Sequence, residues 1–201
     1  NPRLNTTRTS KRFRCSAPLS EADVMSPKAQ LRQRFRAVRD AIPADERQSG
    51  SQAIHQMILN LPELDTAQSD FVYASAGSEV ATHELIEALL VRGKTVAVPY
   101  ITDHKAGRMQ AVVIHTLQDL VPDPHLPSLL TPQTGEPLDL APDLILLPGL
   151  AFSPKTGVRL GMGGGYYDRF FDGSGQAGGL RVGLAFDEQL RDDLPVEAHD
   201  Y

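Results

Sequence analysis

The chain has 201 residues, 41% apolar and 22% charged, enough for one substantial core and too apolar for disorder throughout. A net charge of −5 and a pI near 5.7 exclude non-specific nucleic-acid binding as the main task. The single cysteine, Cys15, rules out an internal disulfide, and no apolar run approaches the roughly twenty residues of a membrane span. The expectation is a soluble, monomeric, cytoplasmic protein with neither nucleic acid nor membrane as partner.

Residues 1–24 differ in character: Arg3, Arg8, Lys11, Arg12 and Arg14 outnumber the acids Glu21 and Asp23. They read as a disordered or artificial leader, with one α/β domain over residues 25–201. Ser26-Pro27 opens a helix with a capping hydroxyl followed by proline. Leu31, Phe35, Val38 and Ile42 form its apolar stripe, and Lys28, Arg32, Arg34, Arg36 and Arg39 read as a basic surface. A second helix is predicted to about Asn60.

Phe71–Ala74 reads as a buried strand, Thr82–Arg92 as a helix stopped by Gly93, and Thr95–Val98 as the next strand. That spacing is a βαβ unit and implies a mostly parallel sheet. Ala111–Leu117 is a further candidate strand, and Val121–Pro142, with six prolines, reads as a long irregular connection. Leu144–Leu147 and Leu180–Ala185 complete the predicted strands. A single three-layer α/β domain follows.

Between those last two strands lies Arg159-Leu160-Gly161-Met162-Gly163-Gly164-Gly165-Tyr166-Tyr167-Asp168. Three consecutive glycines let a ligand approach bare N–H groups, which together can form an anion-binding nest. Arg159 can add a bidentate contact to phosphate. Asp168 offers the hard oxygen that phosphate-bound magnesium needs, and Tyr166 and Tyr167 offer stacking faces. The segment lacks the Gly-Lys-Ser/Thr ending of a P-loop, and Tyr166 stands where a dinucleotide fingerprint needs glycine. With one cysteine and scattered histidines there is no zinc framework, and Ser153 has no GxSxG setting. By the rule that open α/β sheets bind ligands beyond their strands' carboxyl ends, loops Ser75–Ala81 and Pro148–Tyr167 are predicted to face one cleft.

These residues resemble a known family. Leu147-Pro148-Gly149-Leu150-Ala151-Phe152 and Gly157-Val158-Arg159 through Asp168 are similar to the signature of 5-formyltetrahydrofolate cyclo-ligases, also called methenyltetrahydrofolate synthetases. Lys28-Ala29-Gln30-Leu31-Arg32, Glu79-Val80-Ala81-Thr82 and Leu194-Pro195-Val196-Glu197-Ala198-His199-Asp200 match in the family's order. The resemblance implies a fold like that of the ribose-phosphate isomerase and CoA-transferase class. It also implies ATP- and magnesium-dependent conversion of 5-formyltetrahydrofolate to 5,10-methenyltetrahydrofolate.

Carried over residue by residue, Arg159 and Tyr166 are catalytic. Lys28, Arg32, Arg159, Leu160, Gly161, Met162, Gly163, Gly164, Gly165, Tyr166 and Tyr167 contact ATP. Ala74, Glu79, Met162, Gly163, Gly164, Gly165 and Tyr166 contact the folate, and Asp168 and Asp200 hold Mg2+. The alternative is a catalytically inert nucleotide- or folate-binding module of the same fold. Two features depart from the family's pattern: Ser153 stands where aspartate is usual, and the family continues past the position of Tyr201 into another short strand. An end missing there would leave one side of the cleft incomplete.

Overall fold

The computed structural model describes residues 26–173 and 178–195. Its helices are α1 (Pro27–Asp40), α2 (Ala44–Leu59), α3 (Pro62–Thr66), α4 (His83–Val91) and α5 (Tyr166–Gly173). Its strands are β1 (Ser69–Val72), β2 (Thr95–Asp103), β3 (Arg108–Ile114), β4 (Leu120–Pro122), β5 (Leu130–Pro132), β6 (Leu144–Leu147), β7 (Ala151–Phe152), β8 (Arg159–Leu160) and β9 (Leu180–Gly183). The central sheet runs β3-β2-β1-β6-β9. Every neighbouring pair in it is parallel except β2 with β3.

Side chains alternate across this sheet, so each strand serves two cores. On one face Val72, Val96, Val98, Leu144 and Leu146 pack against Ile58 of α2, Leu64 of α3 and Leu85, Ile86 and Leu89 of α4. On the other, Phe71, Ala97, Ile145 and Leu147 pack against Phe170 and Phe171 of α5. A strand buried on both faces needs a continuous apolar run, which is what Leu144–Leu147 provides. The three-layer α/β expectation with a mostly parallel sheet holds.

Local chemistry accounts for the boundaries. Ser26 Oγ accepts the Ala29 N–H at 3.2 Å, the predicted cap of α1. At the end of α4, Gly93 N donates to Leu90 O and Lys94 N to Leu89 O, a Schellman pair. The strand predicted at Phe71–Ala74 lies two residues earlier, because Tyr73 O accepts from the Thr82 hydroxyl at 2.6 Å and leaves the ladder. The strand predicted at Ala111–Leu117 begins earlier and stops at Ile114. There Asp119 Oδ2 takes the His115 and Thr116 N–H groups into a short 3-10 turn. The proline-rich connection is less irregular than expected: β4 pairs antiparallel with β5, with Pro122 and Pro132 at the ends of the ladder. Its later part covers the outer edge of β3, where Val113 N donates to Glu136 O and Leu138 N to Ala111 O.

Candidate active site

From β1 the chain passes through α4 to β2 on one side of the sheet. From β6 it passes through α5 to β9 on the other. The strand order therefore reverses between β1 and β6, and the loops leaving their carboxyl ends border one crevice, the usual ligand site of such sheets. Those are the two loops carrying Glu79 and the glycine run.

The loop after β6 is built as a small hairpin, β7 with β8, which presents the glycine run. Its turn is closed at Ser153, whose carbonyl accepts from Gly157 N at 2.9 Å and whose hydroxyl accepts from Thr156 N at 3.2 Å. A buried serine thus serves as the short polar acceptor of this turn, so the departure from aspartate leaves the hairpin intact. Leu31 and Phe35 of α1 pack on Leu150, Ala151, Val158 and Leu160 of the hairpin. The helix is thereby laid along the glycine loop.

Within that loop Gly163 and Gly165 adopt φ of 103° and 65°, backbone that side chains rarely take. Arg32 Nε donates to Gly161 O at 3.2 Å, and Arg36 reaches the Met162 sulfur at 3.8 Å. Lys28 lies one turn before Arg32 and is half-buried. Arg159 is buried. It donates from Nη1 to Pro148 O at 3.3 Å and from Nη2 to Asp168 Oδ1 at 2.9 Å. Its Nε has no hydrogen-bond partner among the described residues, so the protein does not saturate the guanidinium. It also lies 5.3 Å from the Tyr167 ring centre.

α5, which the sequence reading did not anticipate, begins at Tyr166, so Tyr167 and Asp168 sit in its first turn. Tyr167, Phe170 and Phe171 fall at helical spacing and bury together, a signal the neighbouring glycines obscured. Arg169, just before Phe170, donates from Nε to Gly107 O at 2.9 Å and from Nη2 to Gly164 O. It fastens the β2–β3 turn to the glycine run.

The loop after β1 is closed on itself. Thr82 Oγ1 accepts from Ser75 N at 3.0 Å, and the Tyr73 hydroxyl donates to Val80 O at 2.9 Å. Ala74 is buried at its root. Glu79 Oε2 accepts from Ala76 N at 2.9 Å, while Oε1 lies 3.8 Å from Arg39 Nη1, with the two side chains only 13% and 5% exposed. Burial raises the Glu79 carboxyl above its ordinary value, and the Ala76 N–H, Arg39 and Arg36 oppose the rise. Burial likewise pushes the Tyr167 hydroxyl up. Arg159 lowers it and Glu79 raises it, so this hydroxyl sits within electrostatic reach of both loops.

Arg39 corrects the reading of α1 as basic surface: it is buried. It lies four residues after Phe35 and three before Ile42, on the apolar face, which was the available signal. The structure thus brings together Arg32, Glu79, Arg159, Asp168, both tyrosines and the glycine run. Asp200 lies outside the described residues, as do residues 1–24. No cluster of three or more His, Cys, Asp or Glu suited to a metal occurs among the described residues.

The family model for the 5-formyltetrahydrofolate cyclo-ligase family matches residues 24–201. The chain is 34% identical to the 5-formyltetrahydrofolate cyclo-ligase of Escherichia coli, over 85% of this chain and 91% of that protein. It is 32% identical to a probable 5-formyltetrahydrofolate cyclo-ligase of Caenorhabditis elegans, over 86% and 88%. In three dimensions it matches the 5,10-methenyltetrahydrofolate synthetase of Aquifex aeolicus with a TM-score of 0.75 and 27% identity, over 87% of this chain and 85% of that one.

Proposed function

The chain belongs to the 5-formyltetrahydrofolate cyclo-ligase family, and from that premise we propose that it converts 5-formyltetrahydrofolate to 5,10-methenyltetrahydrofolate at the crevice between β1 and β6. ATP is the co-substrate, and ADP and phosphate are released. The observation that carries this reading is the convergence of two unlike loops: a glycine run with buried Arg159 suits phosphate, and a buried acid suits hydrogen-bond donors on a ring.

The formamide oxygen of the substrate is a poor leaving group. Transfer of the γ-phosphoryl group of ATP to that oxygen turns it into a good one and releases ADP. The neighbouring secondary amine nitrogen then attacks the formyl carbon, losing its proton as the carbon–nitrogen bond forms. The carbon–oxygen bond breaks, and the oxygen leaves as inorganic phosphate. Holding the two nitrogens of one substrate in line supplies most of the advantage of the closure step.

In this reading Gly163, Gly164 and Gly165 receive the phosphates through their N–H groups, with Arg159, Lys28 and Arg32 supplying positive charge. Leu160, Gly161 and Met162 shape the wall, and Tyr166 and Tyr167 orient the reacting ends of the two ligands. Arg159 and Tyr166 are the residues closest to the chemistry, and Glu79 beside Ala74 reads the folate ring.

Magnesium, when bound, neutralises charge on the phosphates. The donor set is compatible with it: magnesium takes one or two carboxylates with phosphate oxygens and water, and Asp168 offers one carboxylate in the first turn of α5. Asp200 is the proposed second ligand. The protein is further proposed to act as one α/β domain, as a monomer, in the cytoplasm; its lone cysteine, which allows no internal disulfide, fits a reducing compartment.

The deciding experiment follows methenyl absorbance with purified protein, 5-formyltetrahydrofolate and ATP. Product should form only when ATP is present. Tight folate or ATP binding without product would instead leave an inert binding module.

A further inference from the structure

Two arginines seven residues apart on α1 secure the two ligand loops. Arg32 donates to the glycine loop at Gly161 O. Arg39 lies two turns further on, so both project from the same side of the helix. Arg39 Nε donates to Ser78 Oγ at 3.0 Å, and Nη1 donates to Gly149 O at 3.3 Å. The same Nη1 is 3.8 Å from Glu79 Oε1. One buried guanidinium therefore touches the loop after β1 twice and the root of the loop after β6 once.

Its neighbours are themselves tied down. Gly149 O also accepts from Gln189 Nε2 at 2.9 Å, and the Ser78 hydroxyl donates to Asp40. A planar fork with several donors at fixed angles suits such a three-way junction, and a lysine could not reproduce it.

We propose that Arg39 is a positioning residue: it fixes the Glu79 carboxylate for the second ligand and holds the two ligand loops in one register. The identity of that ligand as folate rests on the function proposed above; the pairing of Arg39 with Glu79 does not. The titratable groups facing Glu79 are Arg39 and Arg36 from α1, Tyr73 from the end of β1 and Tyr167 from α5. Asp40 joins the cluster through Ser78. Arg39 is the cation that makes the direct contact.

The test combines Arg39→Gln and Arg39→Lys with a carboxyl-carbon NMR titration of Glu79, and folding is checked by circular dichroism. Loss of the positive charge in Arg39→Gln should move the Glu79 midpoint upward by about one pH unit or more. The acidic limb of the folate kcat/KM profile should move with it. The folate KM should rise about tenfold or more, the worth of one charged contact, while the ATP KM stays near wild type. In a Glu79→Gln background the same substitution should cost less, because only the bonds to Ser78 and Gly149 are then left to lose.

Arg39→Lys keeps the charge and loses the fork, so its Glu79 midpoint should stay near wild type while its folate KM rises. It carries the test if Arg39→Gln does not fold. An unmoved Glu79 midpoint in folded Arg39→Gln overturns the proposal. So does an equal cost in both Glu79 backgrounds, or a folate KM in Arg39→Lys equal to wild type. If the wild-type protein forms no methenyl product, the assigned reaction fails, yet the NMR titration still decides the pairing.

Discussion

Asp168 Oδ1 lies 2.9 Å from Arg159 Nη2. The acid proposed for magnesium and the base proposed for phosphate are thus one ion pair at the start of α5. A nucleotide entering with its metal would meet both charges already oriented by each other, without having to order either from solvent.

Asp168→Asn keeps an oxygen for Arg159 to bond and removes the charge a metal needs. The magnesium concentration for half-maximal activity should therefore rise about tenfold or more, on the scale of one charged contact. A magnesium titration at saturating ATP and folate reads this directly, and an unchanged requirement would remove Asp168 from the metal site.

The glycine run should resist side chains for two separable reasons. At Gly165, φ is +65° and an added Cβ would stand 2.7 Å from Arg169 Nη1. Gly165→Ala therefore combines backbone strain of roughly 1–2 kcal/mol with displacement of the arginine. At Gly164 a Cβ would stand 2.8 Å from the Tyr166 ring, so Gly164→Val should dislodge that ring and abolish ATP binding in a folded protein. Calorimetric titration with ATP beside a thermal melt checks both; a wild-type ATP isotherm for either variant would count against the nest.

Glu79→Gln preserves shape and loses the charge. Folate affinity should fall about ten- to hundredfold, corresponding to roughly 1.5–3 kcal/mol for a charged hydrogen bond, with ATP affinity spared. Separate binding isotherms for the two ligands measure it. Unaltered folate affinity would leave Glu79 as an acid that merely closes its own turn on the Ala76 N–H.

Away from the cleft, Asp70 of β1 is fully buried, and neither of its carboxylate oxygens has a hydrogen-bond partner among the described residues. Burial, reinforced by Asp143 and partly offset by Lys94, raises it from 3.8 to about 6. Between those values the folded state holds a proton that the unfolded chain releases. Stability from this group is therefore greatest below about pH 4 and falls as pH rises to about 6, by up to about 3 kcal/mol in all. Asp70→Asn should flatten that part of the pH–Tm curve. A variant curve parallel to wild type across the same range would show that Asp70 is not its source.

The centre of the sheet was legible because β6 is a short apolar run, Leu144–Leu147, buried at every position. Less legible were elements whose signals overlapped. Tyr166 and Tyr167 read as the end of a glycine loop, yet they open α5, whose core stripe occupies only three ring-bearing positions. The β4–β5 ladder was hidden by prolines that sit at its ends, where no ladder donor is needed. In the site, residue types announced Arg159 and the glycines. Arg39 was masked by the arginines around it, since a basic run hides which member faces inward until the apolar neighbours Phe35 and Ile42 fix the helix rotation. Arg169 gave no warning, because its partners are backbone carbonyls that carry no side-chain signature.

The anchors of α1 lie far along the chain: Arg32 bonds to Gly161 across 129 positions and Arg39 to Gly149 across 110. During synthesis the helix therefore leaves the ribosome with Leu31 and Phe35 bare, and its landing surface follows on the order of ten seconds later at ordinary elongation rates. Until then the contacts that hold the helix over the cleft are not available, and closing so long a loop carries an entropic cost that local contacts do not. The helix cannot be fastened over the crevice on a nascent chain until Gly161 has emerged, 129 positions after Arg32.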